Sequence, residues 1–83
     1  MIFYHRGAAF EATTEAKGSA FFSHAFILEE DGERTSLGTF GRFGNRQVAT
    51  DFAVRYAIAF AEGQPAPVAP ASASGDNRAL ALT

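Results

Sequence analysis

The chain contains no cysteine and no tryptophan, and its three prolines all fall beyond residue 64. Without cysteine there is no disulfide to staple a small core, no thiol nucleophile, no thiolate metal site and no redox couple, which suits a reducing compartment. Long apolar runs are missing as well. No stretch approaches the roughly 20 residues that a membrane-crossing helix needs. The opening segment reaches Glu11 and Glu15 without the roughly 7–15-residue apolar run of a secretory signal. The expectation is a soluble, cytoplasmic protein with no membrane contact. A basic surplus is also absent: seven Lys and Arg stand against nine Asp and Glu, a net charge of -2. That is the wrong sign for a domain whose affinity comes from neutralising phosphates, so nucleic acid is not the expected partner.

What is present suits one small folded unit. Of 83 residues, 47% are hydrophobic and nine are phenylalanine, enough for a single core that is marginal unless most of it is buried. From Gln64 onward the composition changes to Pro, Ala and Ser with no aromatic residue. Such a segment cannot offset the entropy of its own ordering. The expected division is a folded domain over residues 1–63 and a disordered Pro/Ala-rich tail over 64–83.

Inside the domain, Ala8 to Glu15 alternates, with Ala8, Phe10 and Ala12 on one face and Ala9, Glu11, Thr13 and Glu15 on the other, the period of a half-buried strand. Residues Tyr4 to Gly7 read as a lead-in strand or bend. After Lys17-Gly18-Ser19, the segment Ala20 to Glu29 is apolar on both faces, with Phe22, Phe26 and Leu28 on one parity and Phe21, Ala25 and Ile27 on the other. It reads as the central strand. Asp31-Gly32 closes a hairpin into Arg34 to Phe43. There, alternation places Leu37, Thr39, Gly41 and Phe43 on one face and Phe40 on the other. Asn45 then serves as helix N-cap and Gly63 as the residue after its C-cap. Between them Val48, Phe52 and Tyr56 recur at helical spacing, expected to pack on Phe10, on Phe22 or Phe26, and on Leu28. The expected fold is α+β: a three-stranded antiparallel meander packed by one C-terminal helix.

The succession Tyr4-His5-Arg6-Gly7, Phe21-Phe22-Ser23-His24-Ala25-Phe26-Ile27-Leu28, Gly38-Thr39-Phe40-Gly41 and an alanine-rich helix resembles a family of small proteobacterial proteins without an assigned activity. The resemblance covers about Phe3 to Glu62. It implies a strand-strand-strand-helix unit of bacterial origin and says nothing of function. Two departures are a phenylalanine where a tryptophan often opens the second strand, and the long Pro/Ala tail.

The segment Gly38-Thr39-Phe40-Gly41-Arg42-Phe43-Gly44-Asn45 poses a choice between an anion-holding loop, with Arg42 and Arg46 beside a helix N-terminus, and a strand running into a helix cap. Its glycine spacing matches neither a P-loop nor a dinucleotide-binding turn, which favours the strand. Phe21, Phe40 and Phe43, with Arg34, Arg42 and Arg46, are the candidates for base stacking and phosphate contact, or for a protein partner. Against nucleic acid stand Glu29, Glu30, Asp31 and Glu33 at the hairpin. His5 and His24 occupy no recognisable ligand or catalytic spacing, and no nucleophile elbow is present. No metal, cofactor or catalytic activity is expected. The leading expectation is a small binding or structural module acting through protein contacts, a homodimer included. Single-stranded nucleic-acid binding through an aromatic sheet face is the alternative.

Overall fold

The fold was obtained as a computed structural model and describes residues 1–68. Four strands and one helix follow in order: β1 (Ile2–His5), β2 (Ala8–Lys17), β3 (Ala20–Leu28), β4 (Arg34–Phe43) and α1 (Arg46–Glu62). The strands form one antiparallel sheet in sequence order, and α1 packs across β2, β3 and β4. The α+β architecture and C-terminal helix match the expectation; the number of strands does not. The sheet has four strands rather than three, because the lead-in segment pairs with β2 from Ile2 opposite Glu11 to His5 opposite Ala8. What joins them is a two-residue turn at Arg6-Gly7, whose positive φ values of 52° and 79° are those a tight type I′ hairpin requires. Arginine at the first position hides that turn from a reader looking for Asn-Gly. Of the tail expected over residues 64–83, residues 69–83 lie outside the described residues; Gln64 to Val68 have no regular structure.

The other connections follow their residues. Gly18, at φ 61°, opens the two-residue β2–β3 turn, and the β3–β4 turn is closed by Gly32 N–H donating to Glu29 O at 3.1 Å while Asp31 Oδ1 accepts from Glu33 N at 3.0 Å. Strand β4 departs from simple alternation. Ala25 faces Gly38 but Phe26 faces Ser36, and Phe21 faces Phe43 while Ser23 faces Phe40, so β4 is irregular at two points. Each inserted residue shifts the side-chain parity. The expected split, with Phe40 alone on its face, is therefore wrong: Leu37, Phe40 and Phe43 all pack on the helix side.

Helix α1 begins at Asn45, whose side chain accepts from Val48 N at 2.8 Å. It ends at Gly63, at φ 68°, where Gln64 N–H reaches Ala59 O and Gly63 N–H reaches Phe60 O, the paired bonds of a Schellman cap. The buried stripe is Ala49, Phe52, Ala53 and Ala57, with Tyr56 at its margin. Val48, expected in that stripe, is 46% exposed. Beneath the helix lie Phe10, Ala12, Ser23 and Ala25, all fully or nearly fully buried, and Phe21. Phe22, Phe26 and Leu28, expected under the helix, belong to the opposite parity of β3 and face away from it. The reason is that Ala12 pairs with Ala25 and Phe10 with Ile27, which commits the odd-numbered residues of β3 to the helix side.

Alanine at Ala12, Ala25 and Ala53, which meet in one cluster, brings the helix close to the sheet at its centre, while Phe43 and Phe52 fill the wider end. Replacing Phe52 by Ala is expected to cost about 3–5 kcal/mol, the range for a buried phenylalanine. Arg55→Ala and Val48→Ala, on the outer side, should each change stability by less than about 0.5 kcal/mol. Ala53→Leu should cost about 1–3 kcal/mol through overpacking. Urea unfolding of the four variants checks this ordering. A tolerated Ala53→Leu would show that the helix does not rest on the alanine cluster.

Candidate functional site

Alternation along β3 puts Phe22, His24 and Phe26 on the face that, among the described residues, no helix covers. Register brings Glu15 opposite Phe22, Thr13 opposite His24 and Glu11 opposite Phe26 from β2, and Thr39 opposite His24 from β4. The result is a row of three half-buried rings crossed by charged side chains from both flanks. The Arg34 guanidinium lies 4.4 Å from the Phe26 ring centroid and donates through Nη1 to Glu11 Oε1 at 2.8 Å. Lys17 Nζ stands 5.7 Å from the Phe22 centroid. His24 stacks on Phe26 at 6.3 Å and shares a hydrogen bond of 2.9 Å between Nδ1 and Thr39 Oγ1. Phe22 packs against Gly41, where an added Cβ would sit 2.2 Å from the ring; the glycine is what leaves room for the ring. Cation–π contacts at such exposed sites are worth about 0.5–1 kcal/mol, and an exposed ion pair about 0–1 kcal/mol. These lids shield the rings weakly and can be moved aside.

The residues singled out from sequence lie elsewhere. Phe43 is buried at 4% exposure, and Phe40 is wedged between Phe52, 5.2 Å away, and Tyr56, 4.4 Å away. Phe21 packs against the same cluster and is roofed by the Arg46 guanidinium at 5.1 Å, while Arg46 Nη1 donates to Thr14 Oγ1 at 2.6 Å. Arg42 is exposed at the end of β4. Those three rings therefore belong to the helix side, under or beside α1, and do not form one open platform with Arg42. Gly38 to Phe43 is strand, and Asn45 is the cap that follows it.

The chain matches no family model, no curated protein and no solved structure. What the site can do is therefore argued from its own chemistry.

Thr39, His24 and Glu15 have the connectivity of a hydroxyl, imidazole and carboxylate relay. The His24 Nε2 to Glu15 Oε1 separation is 3.8 Å, beyond hydrogen-bond reach. His24 is paired with Thr13 on one side and Thr39 on the other, so the backbone beside it runs within the ladders rather than toward a reacting group. His5 is on the helix side, where Nε2 donates to Glu62 Oε2 at 2.8 Å and ties β1 to the end of α1. Among the described residues no group of three His, Asp or Glu side chains converges as a metal site, and no helix is long and apolar enough to cross a membrane. Two open depressions of about 390 and 430 Å³ exist, one at the sheet end beside Tyr4, Leu28 and Glu29, the other on the outer surface of α1 beside Val48 and Arg55. Neither includes either histidine.

Sequence reasoning missed Phe22, His24 and Phe26 as a row because it assigned the even-numbered rings of β3 to the helix. The signal was present in the Glu11, Thr13, Glu15 alternation of β2, which marks the wetter face next to them.

Two outcomes follow. Titration with single-stranded RNA at low salt should leave the ring resonances of Phe21, Phe40 and Phe43 unmoved, since they are held under α1; saturable, salt-sensitive shifts there would show that the helix lifts away. Ser23, fully buried with its Oγ lacking a partner among the described residues, carries an unmet desolvation cost. Ser23→Ala should be neutral or should stabilise by up to about 1 kcal/mol, and a loss larger than that in chemical denaturation would reveal a bonded hydroxyl.

Proposed function

We propose that this protein is a small non-enzymatic binding module that acts through contact with another protein, made by the uncovered face of its sheet. The observation that carries this reading is the Phe22, His24, Phe26 row on β3, a central strand whose second face has no layer over it among the described residues. A sheet face whose only task is solvation has no use for two phenylalanines on a central strand, whereas interface centres are enriched in aromatic side chains. The charges across the row support protein over nucleic acid. Lys17 and Arg34 are matched by Glu11 and Glu15, and the nearby hairpin adds Glu29, Glu30, Asp31 and Glu33, so the face offers no net attraction to a phosphate backbone.

The non-enzymatic part of the reading rests on the absence of cysteine from the sequence and on the separation of His5 and His24 to opposite faces. A bacterial, cytoplasmic setting rests on composition and on the family resemblance. Base stacking remains the second reading, moved from Phe21, Phe40 and Phe43 to the rings that face outward.

The test is affinity capture from a bacterial cytoplasm with and without nuclease, using the parent protein and a Phe22→Ser/Phe26→Ser variant. Capture of a partner that survives nuclease and is lost in the variant is the expected result. Nuclease-sensitive capture would favour the nucleic-acid reading. Partners retained by the variant would place binding on another surface.

A further inference from the structure

The two edges of the sheet differ. In an antiparallel ladder, pairs that exchange hydrogen bonds alternate with pairs that do not. Ala12 N–H donates to Met1 O at 2.8 Å, which makes Met1 and Ala12 a bonded pair. Phe3 with Phe10 and His5 with Ala8, in the same register, are then the next bonded pairs. Ile2 and Tyr4 therefore turn their N–H and C=O groups away from β2, to an edge where no strand pairs with them among the described residues. Their side chains are 56% and 76% exposed and lie on the uncovered face of the sheet.

Strand β4, the opposite edge, is interrupted by its two irregularities, a device that spoils an edge as a template for further pairing. Strand β1 has no bulge, proline or lysine. Helix α1 packs chiefly on β2, β3 and β4 and meets β1 at its margin, through the His5 to Glu62 contact and through Phe3 at the border of the alanine cluster; Phe3 is half-buried, stacked on Phe10 at 5.6 Å.

We propose that β1 is a self-association edge, on which a second copy of this chain adds its own β1 antiparallel about a twofold axis through Phe3. Ile2 then stands opposite the partner's Tyr4, and each exchanges both of its outward backbone bonds with the other. Four otherwise solvated bonds close the seam. On the uncovered face this register sets Ile2 against the partner's Tyr4, an apolar and aromatic cross-strand pair of the favourable kind. On the helix side it sets Phe3 beside the partner's Phe3, extending the Phe3 and Phe10 stack. The charges also fit: Arg6 of each copy falls at opposite ends of the seam, about 20 Å apart at the strand rise of about 3.4 Å per residue, beyond a Debye length in physiological salt. An unrelated extended segment would satisfy the backbone bonds but not both side-chain pairings, and this is why the copy is favoured. The product is one continuous sheet formed from two four-stranded ones. A seam of four residues a side is shorter than the interfaces of stable complexes, so the dimer is in exchange with monomer and its population follows concentration.

This surface is distinct from the aromatic row, and the two proposals fail separately. The test uses the full chain without an N-terminal tag, in sedimentation equilibrium and amide NMR from dilute to near-millimolar concentration. The expected result is a mass rising from monomer toward dimer, with the amide signals of Ile2 and Tyr4 shifting more than those of Phe3 and His5. Tyr4→Lys should weaken association at least tenfold while the far-ultraviolet dichroism stays that of the parent, and Phe26→Ser should leave association unchanged. A monomer mass throughout would overturn the proposal. Association lost in Phe26→Ser and kept in Tyr4→Lys would overturn it in favour of a face-to-face dimer. Shifts at Ile2 and Tyr4 that require an added foreign peptide would overturn it in favour of a different occupant.

Discussion

The close seat of α1 on the sheet, made through alanine, is the contact on which the rest of the structure depends. Ala49, Ala53 and Ala57 are fully buried on the helix, and Ala12 and Ala25 from β2 and β3 meet Ala53 at the centre. Small residues on both sides let backbone approach backbone, and a domain of this size has no second core to compensate if that approach is lost. Close approach at the centre leaves a wedge-shaped gap toward β4. Phe40, Phe43, Phe52 and Tyr56 fill it, with ring centroids 4.4 to 6.5 Å apart. The irregularities of β4 serve the same contact, since without the two parity shifts Leu37, Phe40 and Phe43 could not all point into the gap.

The helix ends show tertiary contact overriding local preference. Its first turn holds no acidic residue and its last no basic one; instead Arg46 stands at the N-terminus and Glu62 at the C-terminus, each of the sign disfavoured by the helix dipole at roughly 0.3–1 kcal/mol. Both are tied to the sheet. Arg46 reaches Thr14 and covers Phe21, and Glu62 accepts from His5 and lies 3.8 Å from Arg6 Nε. These ties fix where the helix sits along the strands, and they hold the β1 hairpin against the body of the fold.

Much of this was legible in the sequence because local rules and the global fold agree there. Asn45 and Gly63 marked the helix, Asp31-Gly32 marked its hairpin, and the alternation of Phe10 and Ala12 marked the buried face of β2. Where one rule had to be broken, reading failed. The Arg6-Gly7 turn uses a residue with no turn preference, so a strand was lost. Period two was assumed across Gly38 and Gly41, and it reversed Phe40. On β3, where both parities are apolar, periodicity could not say which faced the helix; only pairing with Ala12 decides that, and pairing is a long-range fact. The misplaced candidate residues follow from this single ambiguity, since taking Phe22 and Phe26 for core left Phe21, Phe40 and Phe43 as the apparent surface.

The chemistry of this face explains how two phenylalanines persist there with no layer over them among the described residues. Arg34 and Lys17 lie across the rings with their own charges solvated or, for Arg34, paired to Glu11, so the apolar surface is broken up and the patch stays small. Each lid is held by about 0.5–1 kcal/mol. Burying what remains exposed of each half-buried phenylalanine returns roughly 0.5–2 kcal/mol at about 25 cal/mol per Å². For a partner that also offers acceptors to the displaced cations, the balance favours exchange of lid for partner, while in its absence the lids win over bare exposure. In the proposed function, a partner's surface takes the place of these lids over the rings, and the exchange is what would make this a binding face.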